Sequence, residues 1–185
     1  PVGTDGGSWT REPAIICAHS TEGAGWDGYQ NGMVAPHLTL HPGTGEARQH
    51  IPLTRAARAL EHPAGTPQTN RAGVIQIEII GTSDRRLVAP GRVYLGDLDD
   101  AGCRHVAALL TTIHAATAIP LTSSVRWVDY PASYGVHASQ RLSRAAFATY
   151  RGVLAHQHVP DNAHGDVPLP IDRILAATKT PTEDD

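Results

Sequence analysis

The chain has 185 residues but only two cysteines, Cys17 and Cys103, with one phenylalanine and one methionine. Two isolated thiols in apolar runs do not make a disulfide framework and are expected to be buried and free. That usage points to synthesis in a reducing compartment. No apolar run approaches the roughly 20 residues that a membrane-spanning helix needs, so no membrane insertion is expected. Positive charge is also scarce. Lys plus Arg number 15 against 18 Asp plus Glu, the net charge is -3 with histidine neutral, and no predicted element carries a basic cluster. Nucleic acid is therefore not an expected partner. No signal-peptide pattern opens the chain, and a start at Pro1 rather than Met fits excision from something longer, with further domains beyond. The local signatures HExxH, CxxC and GxSxG are all missing.

What is present is a globular composition, 41% hydrophobic and 18% charged, at a length suited to one domain. Histidine is the unusual feature. Eleven histidines against 15 Lys plus Arg direct attention to metal or acid–base chemistry. The segment His156 to Asp166, HQHVPDNAHGD, holds three histidines and two aspartates within eleven residues.

Residues 1–13, rich in Gly and polar side chains, read as an irregular lead-in. The run AIICA (14–18) reads as a buried strand ending at His19, followed by the Gly-rich stretch STEGAGWDGYQNG, a loop with or without a short helix. HLTLH (37–41) and ARQHI (47–51) flank a PGTG turn and predict a hairpin. TRAARALE (54–61) predicts a brief helix ended by Pro63, Gly65 and Pro67. GVIQIEIIG (73–81) is the clearest strand. Ile75, Ile77 and Ile79 form one wholly apolar face, whereas Val74, Gln76, Glu78 and Ile80 form the other. A glutamate there is costly unless paired, hydrated or functional.

Residues 98–117 predict the longest helix, with Asp99 or Asp100 as cap and a stripe of Val106, Leu109, Leu110 and Ile113, stopped by Pro120. Residues 143–154 predict a second helix capped by Ser143, and 171–177 a third. TKTPTEDD at the end reads as a polar tail or the start of a linker. Strands early, helices late and one helix between strands predict an α/β fold, a mixed sheet flanked by helices.

Two imidazoles and one carboxylate make a catalytic zinc set that leaves a fourth position for water. His19, at the end of a buried strand, and His156 and Asp166, bracketing a Pro-containing loop, could supply it. A solvated His-rich loop is the alternative, because these three residues form no local motif.

Four stretches, IICAHSTEG, APHLTLHPGTGEARQHIPL, GVIQIEIIG and LAHQHVPDNAHGD, run in this order from residue 14 to 166. Together they resemble the zinc-dependent N-acetylmuramoyl-L-alanine amidase family. This is the type shared by phage endolysins, cell-wall recycling amidases and peptidoglycan-recognition proteins. The set looks closest to amidase domains of endolysins from phages of actinobacteria. The resemblance implies a peptidoglycan-recognition-protein-like fold and a catalytic domain over residues 14–178, with 179–185 as tail. It implies one Zn2+ held by His19, His156 and Asp166, with Glu78 and His164 catalytic. His164 stands where many members carry lysine. His37 and Asn70 are implied beside the cleft as substrate contacts, a buried or hydrated role being the alternative for each. Peptidoglycan is the implied partner. Synthesis in the host cytoplasm and action on the wall after membrane opening are implied as well. Trp26, Trp127, Tyr130 and Tyr134 suit either sugar stacking or ordinary packing. His158 is expected at the surface or behind a ligand. Two other readings stay open: a peptidoglycan-binding module without hydrolysis, and a closed structural zinc site with His158 or Cys17 as fourth ligand.

Overall fold

The structure, a computed structural model, describes residues 3–60, 66 and 69–179. The fold is α/β. Among the described residues, five strands lie in the order β3-β2-β4-β1-β5. They are β1 (Ile15–Ser20), β2 (Leu38–Leu40), β3 (Ala47–Gln49), β4 (Val74–Ile79) and β5 (Gly152–Ala155). Strand β4 pairs in parallel with β1 and β2, β5 pairs in parallel with β1, and β3 runs antiparallel, through its hairpin with β2. Alongside lie the α-helices: the single turn α1 (Tyr29–Gly32), then α2 (Asp100–Thr117), α3 (Arg144–Thr149) and α4 (Ile171–Ala177).

Because side chains alternate along a strand, the sheet presents two different faces. Ile16 and Ala18 of β1, Ile75, Ile77 and Ile79 of β4, and Val153 and Ala155 of β5 face a core with Val106, Leu110 and Ile113 of α2 and Ile174 of α4. The opposite face carries Ile15, Cys17, Val74 and Leu154 against Phe147 and Tyr150. Both cysteines are buried free thiols. Helix α2 starts where Asp99 accepts a hydrogen bond from the Gly102 amide at 2.7 Å, and it ends at Ala118 in the left-handed conformation. No helix among the described residues is long and apolar enough to cross a membrane.

Two expected elements differ. The helix read over residues 143–154 stops at Thr149, and Gly152–Ala155 is instead the edge strand beside β1. Ser143 does cap it, accepting from the Ala146 amide at 3.1 Å. Gly152 sits at φ +132, outside helical space, and an added Cβ would collide with the Thr122 carbonyl. The run VLA fits a buried strand as well as a helix, and pairing with β1 decides between them. No helix forms over the described residues of 54–61 either. The backbone amides there serve other segments: Ala56 to Gly7 O, Arg58 to Ala35 O, and Ala59 to the Gln76 side chain. Glu61, Pro63, Gly65, Pro67 and the end of the tail from Thr180 lie outside the described residues.

Candidate metal centre

The carboxyl ends of β1, β4 and β5 meet at one edge of the sheet, where a parallel arrangement leaves its natural crevice. His19 is the fifth residue of β1, and Glu78 is its register partner in β4, so their side chains share a face. His156 follows directly on β5. Adjacent strands therefore bring together residues far apart in the chain.

The imidazole and carboxyl tips converge. His19 Nδ1 lies 3.1 Å from His156 Nδ1 and 3.8 Å from Asp166 Oδ2, and His156 Nδ1 lies 3.1 Å from Asp166 Oδ1. All three donors fall within 4.8 Å of one another. Two ligands held about 2.0–2.2 Å from one zinc ion at a tetrahedral angle stand roughly 3.3–3.6 Å apart. The observed spacings straddle that edge length, so this triad can hold a metal ion.

The surroundings fit the same purpose. His156 Nε2 donates to Asn162 Oδ1 at 2.8 Å, which fixes the tautomer and leaves the Nδ1 lone pair for an ion. Asp166 Oδ2 accepts from the Ser20 amide at 3.3 Å. Burial, aided by nearby His156, lowers the His19 pKa to about 3, so its imidazole is neutral at physiological pH. Burial alone would discourage ionisation of Asp166. The neighbouring imidazoles, His156 foremost and then His19 and His164, outweigh burial and hold that carboxyl below the usual carboxylate range. A neutral His19 and an ionised Asp166 are the forms in which these residues ligate a metal. Gly165 lets the loop come in close: an added Cβ would stand 2.6 Å from Ser133 Oγ and 2.8 Å from the Tyr134 amide.

Glu78 is 8% exposed, and its Oε2 is buried without a hydrogen-bond partner. Its pKa is raised well above the ordinary value by burial first and by the Asp166 carboxylate second. The other buried polar residue of β4 contrasts with it. Gln76 Oε1 accepts from the Ala59 amide and Gln76 Nε2 donates to Asn70 Oδ1, each at 2.8 Å, while its own amide donates to His37 Nδ1 at 2.9 Å. Gln76 is satisfied by the scaffold, and Glu78 is left with a free oxygen.

The same network includes His37 and Asn70, expected as substrate contacts beside the cleft with a buried or hydrated role as the alternative. His37 is 0% exposed and stacks on Trp9, and its Nε2 donates to Arg55 O at 2.8 Å. Asn70 accepts from the Leu60 amide and donates to Leu60 O. Both serve Gln76 and the 55–60 segment, because a buried strand glutamine needs partners. Burial lowers the His37 pKa from 6.5 to about 4. A base depressed in the fold contributes stability that is complete above pH ~6.5 and lost as pH falls through ~4, a difference of roughly 3 kcal/mol. Denaturant unfolding of the metal-free chain should show stability declining across that window. His37→Asn should be less stable at pH 7 and show a shallower decline; an equal slope would remove His37 as a cause.

His164 is exposed and stacks on His156, with centroids 4.9 Å apart and planes 11° apart. With Asp166, Glu22, Ser83, Tyr130 and Tyr134 it borders an open cavity of about 200 Å³. The Tyr130 and Tyr134 rings meet edge to face at 6.2 Å. Glu22 is a participant that sequence reasoning missed. Its carboxylate accepts from Ser20 Oγ at 2.6 Å, Thr82 Oγ1 at 2.7 Å and the Ser83 amide at 2.9 Å, and so ties the loop after β1 to the loop after β4. Its position three residues beyond His19 was the available signal. His158, expected at the surface or behind a ligand, is buried. It accepts from the Ala155 amide at 2.9 Å and donates to Arg126 O at 3.0 Å, so both ring nitrogens face backbone. Trp127 packs edge-on against it, and Trp26 lies under the Arg48 guanidinium.

No protein-family model matches the chain, and no curated protein matches it. The chain is similar to a solved structure of a mutant of PlyL, at 15% identity and a TM-score of 0.49, over 94% of this chain and 88% of that one.

Proposed function

We propose that residues 14–178 form a zinc-dependent N-acetylmuramoyl-L-alanine amidase domain. It would hydrolyse the amide between the lactyl group of N-acetylmuramic acid and the L-alanine of the stem peptide in bacterial peptidoglycan. The observation that carries this reading is the pairing of an ion-ready triad, His19, His156 and Asp166, with a buried carboxylate beside it that has an unused oxygen. The sequence resemblance supplies the substrate and the setting, a phage lysin acting on the wall once the membrane has been opened.

When bound, zinc supplies Lewis acidity and a positive charge that draws Glu78 back towards its ionised form. Glu78 takes a proton from the attacking water and passes it to the leaving amine nitrogen. His164, at the cavity mouth, donates a hydrogen bond to the oxygen on which negative charge develops when its ring is protonated. Tyr130 and Tyr134 give the cleft an apolar wall suited to a sugar or peptide face. The closed structural-zinc reading with His158 as fourth ligand has less support, because the ring nitrogens of His158 are committed to backbone groups.

The test is a digest of purified peptidoglycan, with and without chelator, analysed by mass. Free stem peptides beginning with L-alanine should appear only without chelator. Cleavage confined to the glycan, or no release at all, overturns the reading.

A further inference from the structure

Among the side chains that hold the loop carrying two of the three candidate ligands, Arg141 makes bonds at both of its ends. Arg141 Nη1 donates to His156 O at 3.2 Å and to Val159 O at 2.9 Å. Its Nη2 donates to His164 O at 2.6 Å, and its Nε donates to Gly135 O at 2.7 Å. The first contact is the carbonyl of a ligand residue, and the third lies two residues before the other ligand. One planar guanidinium thus spans both ends of the loop. Neighbours of Arg141 repeat the pattern: Gln140 Nε2 donates to Gln157 O at 3.3 Å, and the Leu142 amide donates to His158 O at 3.0 Å.

We propose that Arg141 is a positioning residue for the metal centre, fixing the separation of His156 and Asp166 before an ion arrives. This rests on the metal reading above. The loop from His156 to Asp166 contains no regular element beyond one short turn at His156–His158, so its shape is set by what grips it. Holding the ligands in place beforehand removes an ordering cost from binding. Arginine suits the task because its donors lie in a rigid fork. A lysine ammonium at the same place is a point donor on a flexible stem and cannot reach four carbonyls at once.

The sign of the effect separates positioning from charge. A guanidinium beside a cation site repels the cation, so removing it for electrostatic reasons alone would tighten metal binding. If Arg141 instead sets the ligand spacing, removing it weakens binding. Partners behind metal ligands typically contribute 10–100-fold in affinity.

The experiment measures Zn2+ affinity by chelator competition on wild type, Arg141→Lys, Arg141→Ala and Arg144→Ala, with Co2+ absorption spectra as a second readout. Arg144 grips the same loop through an exposed pair with Asp161 and serves as the contrast. The expected result is a roughly 10–100-fold loss of affinity for both Arg141 variants, an altered Co2+ spectrum, and less than about a twofold change for Arg144→Ala. Arg141→Lys keeps the charge, so the comparison stands even where the alanine variant does not fold. Unchanged or tighter binding in Arg141→Lys, or an equal loss in Arg144→Ala, overturns the positioning role while leaving the metal reading intact. A wild type that takes up neither ion overturns the metal reading and this proposal with it.

Discussion

Glu78→Gln is expected to reduce turnover of peptidoglycan by roughly 10²–10⁴-fold while zinc stays bound. The amide has nearly the shape of the carboxyl it replaces and lacks the basic oxygen. Packing should survive: Glu78 is 8% exposed on a strand bonded on both sides, and its Oε2 has no partner to lose. Replacing a buried ionisable group by a neutral one should leave stability unchanged or raise it. Rate, metal content and melting temperature, measured on one preparation, separate the possibilities. Full activity with metal bound would rule out Glu78 as the base. A loss of metal would make Glu78 a ligand.

Asp166→Asn is expected to lose more zinc affinity than the roughly 10–100-fold typical of residues behind a ligand, and activity should fall with it. Asparagine keeps the volume and can still accept from the Ser20 amide. What it removes is the negative charge facing two imidazoles at 3.1 and 3.8 Å. An amide oxygen carries only a partial charge, so the attraction for a divalent ion drops even where the spacing is kept. The readout is ion stoichiometry after dialysis against buffered zinc, together with wall digestion. Wild-type stoichiometry in this variant would show that Asp166 is no ligand.

Where the sequence was informative, the signal was periodic or local. Alternation along β4 separated its apolar face from the face of Gln76 and Glu78, and the Asp99 cap and apolar stripe placed α2. Strand and loop placement made the candidate ligands one option, and only the resemblance favoured them over a solvated loop, because His19 and His156 are neighbours across paired strands and not along the chain. His37 and Asn70 were open to two readings because a histidine or asparagine near a cleft and one satisfying a buried amide look alike until the partner is known. Gln76 is that partner. Residues 152–155 fit two periods, and a tertiary contact chose the strand. Arg141 left no trace in the sequence. Its acceptors are main-chain carbonyls, which every residue possesses, so no residue type marks them in advance.

The contact between His19 and His156 joins positions 137 residues apart. Because the chain is made from its N-terminus, this span can close only once the intervening strands and helices have been synthesised. An emerging chain on the ribosome therefore holds its first imidazole with nothing opposite it until the final edge strand docks. Fragments ending before that strand would own most of the secondary structure yet no chelating centre, so competence arrives all at once with the finished molecule.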